Sequence, residues 1–424
     1  MITMKKRFES IDVFRGLTVM LMTIVNNPGD WGNIYGPFQH AEWHGCTPTD
    51  LVFPFFLFIV GVSTVLSIPV GGDKSKTSLI KIWTRGLRIF GLGLFLSFFG
   101  KIQLHGIEGL PLLAFRMCFV AMATIIFLGE FTEKVKFYSS IIAVGFMLFL
   151  AYSGLEAFES VRIPGVLQRI AVVYLVIALM YRRFSVKSLY IFFGGILLIY
   201  WMLMTLVEVP GFGAPNVEKG TNLAAWLDNL LLEGHLWASS KTWDPEGILS
   251  TLPAVATGLF GIFVAQLLRG KGESTSIFKQ LMLVGVGAVI IGQLWGLVFP
   301  INKALWTSSY VVYTGGLATL LIGILYYFIE MKGSKSWTKP IDYFGVNPMV
   351  VFFFSGIIPR VLGMIKLTNS EGETQNLQSF LYHNLYADHI TNQQTASLLG
   401  ALTYLFIWFL ILAFFYRKNL IFKV

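Results

Sequence analysis

Two histidines, a glutamate and an aspartate fall within thirteen positions of "FQHAEWHGCTPTD", residues 38–50: His40, Glu42, His44 and Asp50. A continuously apolar run, "LVFPFFLFIVG", follows at once. Asn26 ends an earlier apolar run, while Arg169, Asp244 and Glu246 sit at the edges of two later ones. A histidine that titrates near neutrality, a carboxylate to orient it and an amide donor are the parts of acyl transfer. The imidazole takes a proton from the acceptor or takes the acyl group itself. The amide N–H stabilises the oxyanion. The same groups suit a transporter, in which carboxylates and histidines relay a proton or bind a cation. Residue chemistry alone leaves both open. GxGxxG, P-loop and GxSxG motifs are absent. Neither Cys46 nor Cys118 has zinc spacing, so neither a metal site nor a disulfide is expected.

The elements that must position these groups are set by composition. The chain has 424 residues, of which 55% are hydrophobic and 13% charged, whereas a soluble domain carries about 25% charged residues. Apolar runs of roughly 17 to 24 residues recur along it, and they do not alternate at period two. This predicts an all-α, polytopic transmembrane helical bundle, with residues 1–424 as one integral membrane domain. Twelve spans are expected at about 11–27, 51–69, 79–98, 111–129, 137–152, 165–181, 187–206, 247–268, 277–300, 306–329, 343–364 and 396–416, or eleven if the short fifth run is discounted. No cleaved signal peptide is read in "MITMKKRFESIDVFRGL".

The net charge of +9 is a matter of topology. "MKKR", "GGDKSK", "YRRFSVK", "LRGKGEST", "MKGSKSWTK" and "YRKNLIFK" all fall on one side of the bundle. By the positive-inside rule that side, with both termini, is cytoplasmic, and no nucleic-acid partner is expected. Segments 28–50, 207–246 and 365–395 are then external, and all six histidines lie on external segments or at their edges. The lipid-facing and subunit-facing surfaces of such a protein are both apolar, so an oligomer is neither indicated nor excluded.

Ionisable groups at membrane depth cost at least ~2.5 kcal/mol and need a partner or a wet cavity. Asp12 and Arg15 share a helical face, as an ion pair or with Arg15 meeting an anionic ligand. Arg85 and Arg88 can snorkel to the cytoplasmic interface. Arg169 lies a turn into its span and is expected to face the bundle interior, and Arg116 raises the same question. Asp244 and Glu246 flank Pro245, where helix capping accounts for one carboxylate but not both.

The segments "SIDVFRGLTVMLMTIVNN", "FQHAEWHGCTPTDLVFPFFLFIVG", "RIPGVLQRIAVVYL", "WDPEGILSTLPA", "PINKALWTSSYVVYTGGLA" and "FGVNPMVVFFFSG" resemble the heparan-α-glucosaminide N-acetyltransferase family and its bacterial relatives, part of a broader transmembrane acyltransferase group. The resemblance implies transfer of acetyl from cytoplasmic acetyl-CoA, as co-substrate, to the amine of a glucosamine-type sugar on the external side. It implies that His40, which precedes the A-x-W of Ala41–Trp43, is catalytic as general base or acetyl carrier. Asn26 would sit by the acetyl group, Asp50 would support His40, and Trp43, Arg169, Asp244 and Glu246 would line the acceptor site. Arg15, Arg85 and Arg88 would meet the CoA phosphates, and Glu42 and His44 become neighbours. The chain departs from the family by about 50 residues between the third span and "RIPGVLQR", read as two extra spans at 111–129 and 137–152. The likeness does not include the animal enzyme's long luminal N-terminal domain, which turns the expected acceptor towards a free amino sugar or periplasmic glycan fragment. The expected location is a bacterial inner membrane with His40 facing the periplasm. The competing expectations are an amino-sugar or glycan transporter without acyl transfer, and an O-acyltransferase of the same group.

Overall fold

A continuously apolar segment satisfies its backbone polar groups by closing them into a helix. The computed structural model of the protein, which describes residues 8–68, 75–270, 272–368 and 374–422, forms helical structure at each of the twelve apolar runs. In chain order the helices are α1 (Glu9–Val25), α2 (Val52–Ser67), α3 (Lys76–Phe99), α4 (Gly109–Leu128), α5 (Glu133–Ala151), α6 (Val166–Arg183), α7 (Val186–Leu206), α8 (Leu223–Leu232), α9 (Ile248–Leu268), α10 (Ser274–Gly296), α11 (Ser308–Tyr326), α12 (Lys339–Val346), α13 (Pro348–Met364), α14 (Leu377–Tyr382) and α15 (Gln393–Arg417). Two short strands, β1 (Lys366–Thr368) and β2 (Thr374–Asn376), pair antiparallel with Lys366 opposite Asn376. The protein is an all-α polytopic membrane protein.

Among the described residues nine helices are long and apolar enough to cross a bilayer, or ten if the bent pair α12–α13 forms one span. Helix α1 has 17 residues and α6 carries Arg169, Arg182 and Arg183, so both fall outside that count. The single helix expected over 343–364 is instead broken by 77° between α12 and α13. Pro348 has no N–H to give the preceding turn and pushes Asn347 out of helical geometry, to φ −121° and ψ 50°. Of the charges behind the sidedness expectation, Lys5, Lys6, Arg7, Lys74, Lys271 and Lys423 lie outside the described residues, as does the expected end of the second span at residue 69.

Helices α2 and α9 are buried along most of their length, whereas α5, α7 and α15 keep most of theirs on the outside. Ile142, Ile191 and Leu283 face outwards from α5, α7 and α10, as lipid-facing side chains must. The close approach of α2 to α9 depends on small residues. A methyl group on Gly61 would lie 1.9 Å from the Gly258 carbonyl oxygen, and one on Gly261 would lie 2.0 Å from that of Phe58. Backbone stands against backbone there, and no rotamer change relieves the clash. Helix α2 follows directly from the histidine-bearing loop, so this contact sets the depth and direction of that loop.

Gly261→Leu is expected to push α2 from α9 and destabilise the fold by about 1–3 kcal/mol, the usual cost of overpacking. Thermal unfolding of the detergent-solubilised protein tests it, and an unchanged midpoint would contradict the packing argument.

Candidate functional site

The loop before α2 folds around a buried carboxylate. Asp50 is only 1% exposed. Its Oδ2 accepts the backbone N–H groups of Ala41 and Thr47, each at 3.0 Å. Its Oδ1 lies 2.6 Å from Nδ1 of His40. A carboxylate at this position accepts, so the proton of that bond sits on Nδ1 and Nε2 is left as the basic nitrogen. The Tyr310 hydroxyl on α11 donates to the Asp50 backbone carbonyl at 2.6 Å and pins the head of α2. The half-exposed His40 ring opens into a cavity of about 500 Å³ that Asn26, Trp43, Asp50 and Glu246 also line. Residues expected at one site from three separate stretches of sequence therefore share one cavity.

Trp43, Trp237 and Trp243 form a wall of this cavity. Their rings meet edge to face, with centroids 5.4 Å apart for Trp43–Trp243 and 5.9 Å for Trp237–Trp243. The Trp43 indole N–H donates to the Val217 carbonyl at 2.9 Å, which fixes that ring. Asn26 stands at the C-terminal end of α1, and Phe53 and Phe56 of α2 form part of the lining. A neighbouring cavity of about 690 Å³ shares Met22, Asn26, Arg162 and Phe352 with the first.

Arg162 organises the carboxylates of the 244–246 segment. Its Nε and Nη2 donate to the two oxygens of Asp244 at 2.8 and 2.6 Å, and Nη2 also donates to Glu246. Burial alone would lower the Arg162 pKa, but the two carboxylates raise it above the ordinary arginine value. Burial lifts Asp244 above the usual carboxylate range, and burial also works against Glu246, where Arg162, Arg169 and Lys303 hold the carboxylate down. Glu246 lines the cavity, whereas Asp244 stands behind Arg162. Arg169 faces the bundle interior, as expected, but is not among the residues that line the cavity. It donates to the Gly247 carbonyl at 3.0 Å and to Ser250, with its guanidinium 5.2 Å from the Trp306 ring centroid.

Three residues that sequence reasoning did not select belong to this region. Arg162 is one. Asp228 of α8 accepts the backbone N–H groups of Ile248 at 2.8 Å and Asp244 at 3.2 Å, and burial pushes its carboxyl up to about 6. With a folded pKa above the unfolded value, its contribution to stability is present below about 4 and is lost as pH rises through about 6. Lys303 is the third: its ammonium lies 3.2 Å from both ring nitrogens of His40 and 3.9 Å from Asp50. The signal for it was its isolation, a lysine in the quoted segment "PINKALW" on the side otherwise poor in basic residues.

Arg15 and Arg85 line a second cavity, of about 380 Å³, with Ser63, Gly345 and Pro348. Arg15 is paired with Asp12 at 3.1 Å and also reaches the Gly345 carbonyl and the Ser63 hydroxyl. Among the described residues, Nε of Arg85 is buried without a hydrogen-bond partner. Phe56 lines both this cavity and the one at His40. Arg88 is directed elsewhere, donating to the Gly129 carbonyl at 2.8 Å to tie α3 to the end of α4. Arg116 binds the carbonyls of Ile102 and Gly100 at 2.7 and 3.1 Å, holding the chain just after α3. His44 contacts Asn302 at 3.4 Å, and His235 bonds the Val161 carbonyl at 2.8 Å. His40 is thus the histidine that faces the cavity. The Cys46 thiol is pushed up to about 12, by burial first and then by Asp50, which disfavours it as a nucleophile. Among the described residues no group of three or more His, Cys, Asp and Glu side chains is placed to hold a metal ion.

The sequence profile of the family described as "Heparan-alpha-glucosaminide N-acetyltransferase, catalytic" matches residues 7–294. Human heparan-alpha-glucosaminide N-acetyltransferase is 28% identical over 472 residues, covering 99% of this chain and 60% of the human protein. The mouse protein of the same name is 26% identical over 398 residues, covering 82% of this chain and 53% of its own length. The chain therefore spans less than two thirds of either relative. The matched stretch contains Asn26, His40, Asp50, Arg162, Asp244 and Glu246, and ends before Lys303.

Arg162→Met leaves two buried carboxylates without their counter-ion and is expected to destabilise the fold by roughly 3–5 kcal/mol at neutral pH. Protonating the unpaired carboxylates relieves the charge, so the deficit shrinks as pH falls. Thermal unfolding of both proteins across acidic and neutral pH checks this, and a deficit independent of pH would contradict it.

Proposed function

The chain belongs to the heparan-α-glucosaminide N-acetyltransferase family, and on that premise we propose that it transfers acetyl from acetyl-CoA to the amine of an amino sugar across the membrane. The observation that carries this reading is the His40–Asp50 pair opening into a tryptophan-walled cavity. Asp50 holds the Nδ1–H tautomer, so Nε2 of His40 takes the proton from the acceptor amine. The amine nitrogen attacks the thioester carbonyl carbon, the C–N bond forms, and the carbonyl electron pair moves onto oxygen. The Asn26 amide donates to that oxygen. Collapse breaks the C–S bond and releases CoA as its thiolate, which a proton then neutralises. Should the imidazole instead carry the acetyl group, Nε2 again acts, because Nδ1 is committed to Asp50.

The donor approaches from the second cavity. Arg15 and Arg85 are the cations there for the CoA phosphates, and Nε of Arg85, without a hydrogen-bond partner among the described residues, fits an anionic ligand. Eleven residues separate Arg15 from Asn26, roughly 16 Å of helix, so the long pantetheine arm reaches inwards while the phosphates stay at the cytoplasmic mouth. Arg88, bound to Gly129, is left out of this role. Aromatic faces pack on the apolar faces of sugars, and Glu246 supplies a carboxylate for the amine. The neighbouring cavity that shares Asn26 and Arg162 leaves room for an acceptor larger than one sugar. In a bacterial cell this orientation puts the protein in the inner membrane with His40 on the periplasmic face.

Purified protein given acetyl-CoA and glucosamine is expected to release CoA and N-acetylglucosamine. His40→Ala is expected to lower kcat by about 10²–10⁴ with acetyl-CoA binding retained. Undiminished transfer by that variant would sink the catalytic assignment. Uptake of labelled sugar into proteoliposomes without acetyl-CoA, and no acetylated product, would make the protein a transporter.

A further inference from the structure

Lys303 has no part in the mechanism above, yet its ammonium lies 3.2 Å from Nε2 of His40, the nitrogen at which that mechanism operates. It lies at the same distance from Nδ1. A point in the ring plane that close to both nitrogens would overlap the carbon between them, so the ammonium covers one face of the ring. Its side chain lines the cavity and keeps 23% of its surface exposed.

The loop that carries Lys303 is held from several sides. The Lys303 carbonyl accepts the Trp306 backbone N–H at 3.1 Å, and Trp306 has a φ of 54°, a left-handed conformation that a bulky residue rarely adopts. The Trp306 indole N–H is fixed by Thr257 at 3.0 Å. Asn302, fully buried, donates to the Trp43 carbonyl at 2.8 Å and accepts the Leu305 N–H at 2.9 Å. A donor held in place before the reaction is what stabilises charge that exists only in the transition state.

We propose that Lys303 is a second oxyanion donor, whose ammonium holds the negative charge that develops on the thioester carbonyl oxygen while His40 takes the proton of the attacking amine. The inference rests on the acetyltransferase reading. The amine must lie along the Nε2 lone pair, in the plane of the ring. The carbon it attacks is bonded to it, and an oxygen on that carbon that turns out of the plane on the side of Lys303 meets the ammonium. Lys303 donates one of its three N–H bonds and keeps its proton throughout. The electron pair returns from oxygen as the C–S bond breaks.

The groups facing Lys303 are His40, Asp50 and Cys46 on the 38–50 loop, Glu246 before α9 and Arg169 on α6. Burial lowers the Lys303 pKa, against the pull of Glu246 and Asp50. Activity that depends on its ammonium is lost on the alkaline side, below the ordinary lysine range.

The test compares the unaltered protein with Lys303→Met and Lys303→Arg, using acetyl-CoA and glucosamine from neutral to alkaline pH. Lys303→Met is expected to lose about 10²–10³ in kcat, with acceptor KM and acetyl-CoA affinity near those of the unaltered protein. Lys303→Arg, charged at every pH tested, is expected to restore part of kcat and to shift the alkaline decline upwards. An unchanged kcat in Lys303→Met overturns the proposal. So does a Lys303→Arg profile that keeps the original alkaline limb, an outcome readable even if the methionine variant does not fold. Absence of transfer by the unaltered protein overturns the acetyltransferase reading itself.

Discussion

The carboxylate of Asp50 has to be satisfied on both oxygens because it is buried at the head of a membrane helix, where water cannot complete its hydrogen bonds. That requirement organises the loop before α2. The N–H groups of Ala41 and Thr47 converge on one oxygen, which closes the chain into a tight ring around the side chain. The second oxygen is left for His40, ten residues earlier, and so decides which imidazole nitrogen is basic. The carboxylate thus serves structure and chemistry through different atoms. Tyr310 adds a third attachment through the backbone carbonyl, linking the loop to α11.

The opposite wall is built on a second solution to the same constraint. Asp244 and Glu246 are buried together, which like charges permit only around a shared cation. Arg162 supplies it with a fork-shaped contact that a lysine could not reproduce. Asp228 then holds the backbone of the same segment, so that α8, the start of α9 and the segment before α6 are joined through side chains. The cavity lies between these two polar anchors, and its tryptophans hang from loops that the anchors immobilise.

Much of this was legible in the residue pattern, and the remainder was hidden for identifiable reasons. The helices at the twelve apolar runs follow from a backbone that has no other way to satisfy itself, so their existence and order needed only the sequence, whereas α8 and α14 lie in segments read as external and were not expected. The break at Asn347–Pro348 was written there too, but within a run apolar enough to read as one span. Asn26, His40, Asp50 and Glu246 were selected by type and depth and Trp43 through the family resemblance, and the structure brings them to one cavity. Arg88 was grouped with Arg85 by spacing, although three residues along a helix turn a side chain by about 60°, enough to face α4 instead. Lys303 escaped because lysines were counted for sidedness, a sum in which a single residue read as external has no weight. Its contact with His40 joins residues 263 apart, and no local pattern encodes that.

Helix α2 runs beside both cavities. Val52, Phe53 and Phe56 line the cavity at His40, and Phe56, Ile59, Val60, Ser63, Leu66 and Ser67 line the second cavity. Spacings of three and four residues place these side chains on one stripe of the helix. Gly61 lies off that stripe, and with Phe58 it meets α9. One face of α2 is therefore spent on a backbone contact that cannot shift, and the other runs beside both cavities. The two cavities meet at an aromatic ring on a helix whose position is fixed. On the proposed function this explains why the thioester and the amine, arriving from opposite sides, come together at a set depth. Moving α2 by half a turn would turn Phe56 away and carry Asp50 out of reach of His40, so the glycine contact in the middle of the bundle and the imidazole at its edge are parts of one mechanical arrangement.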